Sequence, residues 1–232
     1  MLGASLFMTG SLPKSFSCMA PILAALTLLL ASCGKREPAG AGALGADASL
    51  KQAATAMDRK DYARALILLQ PALQSRPNDP LVLNLKGAIL TKTKDYDGAL
   101  ACYEAALKSS PGFFAARYNI GALMALRQQW DPAIAYYKDL LRAQPNNELV
   151  QYKLLLLLLM RDQDAELQGR LFPPGIPSNT PAWYFAAAAR ACKEGQPREA
   201  LKYIDVARSV FGDQIAIFKE ELDESGLATA KK

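Results

Sequence analysis

Hydrophobic and polar residues alternate with a helical spacing along most of the chain, and the same spacing returns every 34 residues. Three stretches repeat one another: DYARALILLQPALQSRP, DYDGALACYEAALKSSP and WDPAIAYYKDLLRAQP. Each has apolar or small residues three and four positions apart, which is typical of one face of a helix. Each ends on a proline, which cannot continue a helix. The pattern predicts helices that begin near Tyr62, Tyr96 and Trp130.

The repeat is carried by a small set of residue types. An aromatic residue, an alanine, a leucine and a proline recur in three copies, and a glycine recurs in two. These are Tyr62, Tyr96 and Trp130; Ala65, Ala99 and Ala133; Leu73, Leu107 and Leu141; Pro77, Pro111 and Pro145; Gly87 and Gly121. Glycine and alanine allow two helix axes to approach to about 8–10 Å. Since one helical hairpin cannot bury its apolar face alone, the repeat predicts a stack of hairpins.

These residues resemble the tetratricopeptide repeat, a helix–turn–helix unit of this length. Two copies carry its pattern most fully: Leu83, Gly87, Leu90, Ala99, Tyr103 and Pro111, then Ile120, Gly121, Met124, Ala133, Tyr137 and Pro145. Lys86 and Arg117 depart from it, because the family prefers apolar residues there. The resemblance implies an all-α fold, a right-handed α-solenoid of helix–turn–helix units, with no strand between Ala48 and Leu227.

The solenoid is divided by how well each part keeps the pattern. Residues 48–147 hold three units. Residues 148–180 form a degenerate unit, with a clear first helix from Glu148 to Arg161 and then a short partner and a proline-rich loop. Residues 181–232 regain the pattern, with a second helix that starts near Pro197. The last segment, QIAIFKEELDESGLA, is interpreted as a terminal capping helix with a polar outer face.

Six consecutive leucines, Leu154 to Leu159, lie in the degenerate unit between Lys153 and Arg161. The run is too short to span a membrane, which needs about 20 apolar residues. A helix that is apolar on all faces is typical of burial between neighbouring helices. The alternative use is a homodimer contact through residues 148–160.

The N-terminal region has the pattern of an export signal over residues 1–32. An uncharged apolar segment, densest from Pro21 to Ala31, is followed by small residues. This length is typical of a signal-peptide core and too short for a membrane span. Lys14 is the only charge ahead of it, and translation from Met8 rather than Met1 would place that charge nearer the amine. Both starts remain open.

The residues that end this segment, Leu30-Ala31-Ser32-Cys33, resemble the bacterial lipobox. The resemblance implies cleavage before Cys33, acylation of that cysteine, and anchoring in the cell envelope. Gly34, with no aspartate there, resembles outer-membrane sorting, which implies the periplasmic face of the outer membrane, and the inner membrane remains open. An ordinary signal peptide with a chance cysteine is the alternative. Residues 33–47 are rich in glycine and alanine and are predicted to be a flexible tether.

Composition excludes several kinds of function. The net charge is +5, from 27 basic and 22 acidic residues, and it is spread along the chain, which argues against a nucleic-acid partner. The absence of histidine excludes histidine-dependent triads and histidine-ligated zinc. Cys102 and Cys192 lack metal-ligand spacing and are interpreted as buried or half-buried free thiols. Asp61, Asp95 and Asp164 fall at turns between helices, where aspartate is expected. We therefore expect no catalytic residue, metal or cofactor.

The resemblance also implies where a partner binds. In tetratricopeptide solenoids the first helices of successive units line a concave groove that holds a peptide or helix of a partner. The candidate groove residues are Asn84, Tyr118, Asn119, Tyr152, Lys153 and Phe185. Aromatic faces with an amide or an ammonium group suit such a ligand, although the same aromatics could pack between repeats.

Three functions follow from these features. The leading hypothesis is a membrane-anchored scaffold or adaptor for protein partners in the bacterial envelope. A self-associating structural protein is the alternative, and an enzyme is the least favoured.

Overall fold

The computed structural model describes residues 39–173 and 179–228. The predicted signal peptide, Cys33 and the proline-rich loop at residues 174–178 lie outside these ranges. The packing described below belongs to the unit that begins at Gly45. Within the described ranges the chain is helical, with no strand: α1 (Ala39–Asp58), α2 (Tyr62–Ser75), α3 (Pro80–Lys92), α4 (Tyr96–Ser109), α5 (Phe114–Leu126), α6 (Trp130–Ala143), α7 (Glu148–Arg161), α8 (Ala165–Arg170), α9 (Pro181–Lys193), α10 (Pro197–Phe211), a 3₁₀ helix (Gly212–Ile215) and α11 (Ala216–Ser225).

The predicted helix starts are confirmed. Second helices begin at Tyr62, Tyr96, Trp130 and Pro197, and the first helix of the degenerate unit is Glu148–Arg161. The turns before these second helices share one backbone feature: the residue two positions before the helix start has a positive φ. These residues are Lys60, Lys94, Gln128 and Gly195, with φ of 62°, 66°, 61° and 76°. The departures from the repeat pattern, Lys86 and Arg117, are only partly buried, so neither leaves a charge in the core.

A glycine–tyrosine contact joins the two helices of a repeat. A Cβ added at Gly121 would lie 2.7 Å from Cζ of Tyr137, and one added at Gly87 would lie 2.5 Å from Cε1 of Tyr103. Both tyrosines are buried. The hydroxyl of Tyr137 also donates a hydrogen bond of 2.8 Å to the carbonyl of Tyr118. The glycine of the first helix is therefore required by the ring of the second.

The six leucines of α7 are buried inside the chain, each with no more than 5% of its surface exposed. They pack in the core cluster that also contains residues of α5, α6 and α9 to α11. Burial between neighbouring helices, predicted from the sequence, is confirmed, and these leucines offer no surface to a homodimer. No helix among the described residues combines the length and apolar character needed to cross a bilayer.

Arg190 stabilises the degenerate unit, where the second helix α8 is only six residues long. Its guanidinium donates hydrogen bonds of 2.6 Å to the carbonyls of Gln168 and Leu171, and one of 2.9 Å to the carbonyl of Phe172. These carbonyls lie at the C-terminal end of α8, where no further helical turn supplies a donor. Arg190 thus holds the shortened unit against α9.

The structure differs from the sequence prediction at the tether. Residues 33–47 were expected to be flexible, but α1 already begins at Ala39. Ala46 is 1% exposed and packs with Leu69 and Val82 of the next two helices. Alanine has the highest helix propensity, so a stretch rich in alanine continues the helix despite its glycines.

The glycine–tyrosine contact makes a testable prediction. Gly121→Ala should lower the free energy of unfolding by about 1–2 kcal/mol, because overpacking against Tyr137 outweighs the gain in helix propensity. Gly169→Ala is the matched control: Gly169 is also helical, but nothing lies within 4 Å of an added Cβ. Urea denaturation of both variants measures the difference. Equal stabilities would contradict the contact's role.

Candidate functional site

The C-terminal helix α11 lies across the first helices of the repeats. It contacts Lys92 at the end of α3, Tyr118 of α5, Lys153 of α7 and Phe185 of α9. Because one ten-residue helix reaches all four, these first helices present a common surface, called here the inner groove. The sequence pattern predicts that this helix caps the end of the solenoid, but in the structure it lies in the inner groove.

Phe218 of α11 is seated on two aromatic rings of the groove. Its ring centroid lies 5.5 Å from that of Tyr152 in an edge arrangement and 6.2 Å from that of Phe185 in a stacked one. The hydroxyl of Tyr152 donates a hydrogen bond of 3.3 Å to the carbonyl of Phe218. Tyr152 and Phe185 are fully buried. Each aromatic pair contributes about 0.5–1.5 kcal/mol beyond the area that it buries.

Glu221 forms the polar centre of the contact. One carboxylate oxygen accepts a hydrogen bond of 2.7 Å from the hydroxyl of Tyr118, and the other pairs with Nζ of Lys153. Lys153 and Glu221 are each 8% exposed. Burial and the neighbouring carboxylate of Glu221 both raise the pKa of Tyr118 well above its ordinary value, so its hydroxyl remains a donor. A charged donor and a neutral donor thus satisfy one buried carboxylate.

A second ionic contact lies at the rim of the groove. Nζ of Lys92 is 2.7 Å from Oε1 of Glu220 and also contacts the carboxylate of Glu224. Partial burial on its own lowers the pKa of Lys92, but the two carboxylates outweigh it and raise that pKa. The side chains of Glu220 and Glu224 are 58% and 39% exposed, so solvent screens this contact and its contribution is small.

The six residues predicted for the groove fall into two groups. Tyr118, Tyr152, Lys153 and Phe185 are buried and all contact α11, so that their binding of a partner stays a prediction. Asn84 and Asn119 instead bind each other: Nδ2 of Asn119 donates a hydrogen bond of 3.0 Å to Oδ1 of Asn84 and links α3 to α5.

The other half of the site was missed by sequence reasoning. Ile215, Phe218 and Leu222 follow a helical spacing and indicate an apolar face, but a terminal cap would have the same face. Glu221 is the one feature of the sequence that could have indicated the contact. It lies beside that apolar face, so that packing of the face would also bury its carboxylate. A buried carboxylate needs a cation or hydrogen-bond donors opposite it.

Open space lies on both sides of α11. A cleft of about 710 Å³ lies between Met57 and Tyr62, at the end of α1 and the start of α2, and Ala216 and Glu220 of α11. A smaller cavity of about 60 Å³ lies beside the end of α11 and is lined by apolar residues such as Leu126 and Leu156, together with Lys153, Glu224 and Ser225.

The residues considered for catalysis have structural positions. The carboxylates of Asp61, Asp95 and Asp164 accept backbone N–H groups at the starts of α2, α4 and α8, at 3.2, 3.0 and 3.1 Å. These are N-caps. Cys102 is buried and Cys192 half-buried, and burial raises the pKa of both thiols, which makes them weak nucleophiles. In the described part of the chain, no cluster of carboxylates and thiols could hold a metal ion.

Comparisons with known proteins agree with this geometry. Residues 90–159 match the tetratricopeptide repeat. A tetratricopeptide repeat protein from Parabacteroides merdae superposes with a TM-score of 0.61 at 17% identity, over 88% of this chain and 76% of that one. A thermophilic tetratricopeptide repeat protein from Thermus thermophilus gives 0.57 at 18% identity, over 78% and 99%. PilF from Pseudomonas aeruginosa gives 0.53 at 17% identity, over 81% and 91%. No curated protein sequence matches the chain. The fold is an α-solenoid of tetratricopeptide repeat units.

The buried ion pair makes a second prediction. Lys153→Met should lower the free energy of unfolding by about 3 kcal/mol, because it leaves the Glu221 carboxylate without its buried cation. Replacing both residues by methionine should recover most of this loss, with about 1 kcal/mol remaining for the unpaired Tyr118 hydroxyl. Lys202→Met is the control, since Lys202 pairs with Glu199 at the surface. Urea denaturation of these variants measures the free energies of unfolding. If Lys153→Met lowered the free energy of unfolding no more than the control does, the buried ion pair with Glu221 would be contradicted.

The buried tyrosines predict a loss of stability at alkaline pH. Burial raises the pKa of Tyr103 to about 12 and the pKa values of Tyr118, Tyr137 and Tyr152 well above 10.0. Their neutral form is therefore favoured in the folded state, whereas the unfolded chain loses these protons near pH 10. Stability should be constant in this respect below pH 10 and fall from there towards pH 12. Phenolate absorbance should show these tyrosines ionising together with unfolding. Ionisation near pH 10 with the helices intact would contradict their burial.

Proposed function

We propose that the protein is a lipid-anchored scaffold of the bacterial cell envelope, which binds a protein partner through the inner groove of its repeats. The proposal that the groove binds a partner rests on the position of α11, which already lies in the groove. A groove that holds an amphipathic helix through two aromatic rings, a lysine and a tyrosine hydroxyl has the chemistry that a helical ligand needs.

The sequence of residues 19–33 supports the anchoring half. An apolar segment of signal-peptide length ends on Leu30-Ala31-Ser32-Cys33. Diacylglycerol on Cys33 would contribute about 0.8 kcal/mol for each methylene buried in the bilayer, and a second or third chain makes the anchor stable. Gly34, rather than an aspartate, follows the cysteine, which favours the outer membrane with the repeats on its periplasmic side.

The other two functions are less well supported. Self-association through residues 148–160 would need the leucines of α7, and those are buried in the chain's own core. An enzymatic role would need reactive groups, and the candidate aspartates cap helices.

Cys33→Ala should abolish incorporation of labelled palmitate and block cleavage of the signal, because the anchor and the peptidase both depend on that sulfur. Cys192→Ala is the control and should be labelled like the wild type. The measurement is metabolic labelling with fractionation of the envelope. A Cys33→Ala chain that still takes up palmitate and remains with the membranes would contradict the anchoring proposal.

Partner binding is tested by photo-crosslinking in the cell from defined positions. A crosslinking residue at Leu126, which is 41% exposed beside α11, should capture a partner protein. The same residue at Val210, which is 61% exposed on α10, is the control for general proximity. Equal products from both positions, or none from Leu126, would contradict a partner in the inner groove.

A further inference from the structure

We propose that α11 is a displaceable occupant of the inner groove, and that the partner inserts an amphipathic helix with the same three anchors. These are an aromatic residue, a glutamate three positions later and a leucine directly after the glutamate. The inference rests on the proposed function, because it specifies the ligand of the same groove.

The anchors are defined by what α11 places in the groove. Phe218, Glu221 and Leu222 have the spacing i, i+3 and i+4, which puts them side by side on one helix face. Phe218 meets two rings and Glu221 meets two donors, whereas Leu222, 1% exposed, joins the same apolar core cluster. Lys219 and Asp223 pair with each other on the exposed side, so they do not define the ligand.

The groove favours a ligand with a glutamate at this position, because a ligand without it would leave polar groups of the groove unpaired. Nζ of Lys153 and the hydroxyl of Tyr118 both point at one carboxylate. A helix without an acceptor at this position would leave an ammonium group and a hydroxyl buried and unpaired. A helix that carries only the apolar anchors should therefore be rejected.

Several features make α11 exchangeable. A helix of ten residues is marginal on its own and depends on its contacts. Its central ion pair contributes little net stability compared with an apolar contact of the same size, and open space lies on both sides of the helix. The glycine–tyrosine contacts that join α3 to α4 and α5 to α6 involve no residue of α11. These two repeats thus keep this contact when α11 leaves.

The test uses a fluorescent peptide of residues 212–228 and the full mature chain. In the wild type, the tethered α11 competes at a high effective concentration and should suppress binding of the peptide. Phe218→Ala weakens α11 in the chain, so the peptide should bind this variant at least tenfold more tightly than the wild type, by fluorescence polarisation. Asp223→Asn is the matched control, because Asp223 lies on the exposed side of α11, and should behave like the wild type.

Two further peptides test the anchors. A peptide with the Glu221→Gln change should bind the Phe218→Ala chain at least tenfold more weakly than the native peptide. A designed helix of alanine and lysine that carries only the three anchors should bind within tenfold of the native peptide. If Phe218→Ala fails to keep its helix content, Leu222→Ala, which truncates the other buried apolar anchor of α11, replaces it.

Three results would overturn the proposal. The native peptide could fail to bind either folded variant, or the Glu221→Gln peptide could bind as well as the native one. The third result is that the weakened variants form a dimer that the peptide does not dissociate. The groove would then be occupied by α11 of a second copy of the chain. All of these measurements use the purified chain. A crosslinked partner at Leu126 together with no peptide binding would therefore reject the displaceable helix and keep the scaffold function.

Discussion

In two of the three regular repeats, a tyrosine of the second helix occupies space that a glycine of the first helix leaves open. The rings of Tyr103 and Tyr137 fit against Gly87 and Gly121 so closely that a single methyl group would overlap them. This contact sets the distance between paired helices, and its recurrence after 34 residues sets the spacing of the first helices. The inner groove exists because these first helices are held in register. Tyr137 connects the glycine–tyrosine contact to the groove directly, since its hydroxyl donates a hydrogen bond to the backbone carbonyl of Tyr118, which lies in the groove.

Much of the fold could be predicted from the sequence because the repeat is local. Helix starts at Tyr62, Tyr96, Trp130 and Pro197 follow from aromatic residues and prolines that act within one turn of the helix. The start of α1 was missed, since a composition rich in glycine and alanine is compatible with a tether as well as a helix, and the burial of Ala46 against distant residues decides between them.

The candidate site was predictable on one side only. The repeat register placed Tyr118, Tyr152, Lys153 and Phe185 on one surface, because they recur at equivalent positions of successive helices. No register applies to α11, which follows the last repeat. Its contact with the groove depends on residues 68 and 103 positions apart in the sequence, Lys153 with Glu221 and Tyr118 with Glu221. Pairings of this kind are not encoded in any local pattern.

The carboxylate of Glu221 links the evolution of two distant segments. A substitution at Lys153 or Tyr118 would leave the Glu221 carboxylate with fewer donors, and a change at Glu221 would leave those donors unmatched. Sequence change at any of the three positions is therefore restricted to steps in which the others change with it. Among relatives that keep this arrangement, residues at positions 118, 153 and 221 should vary together.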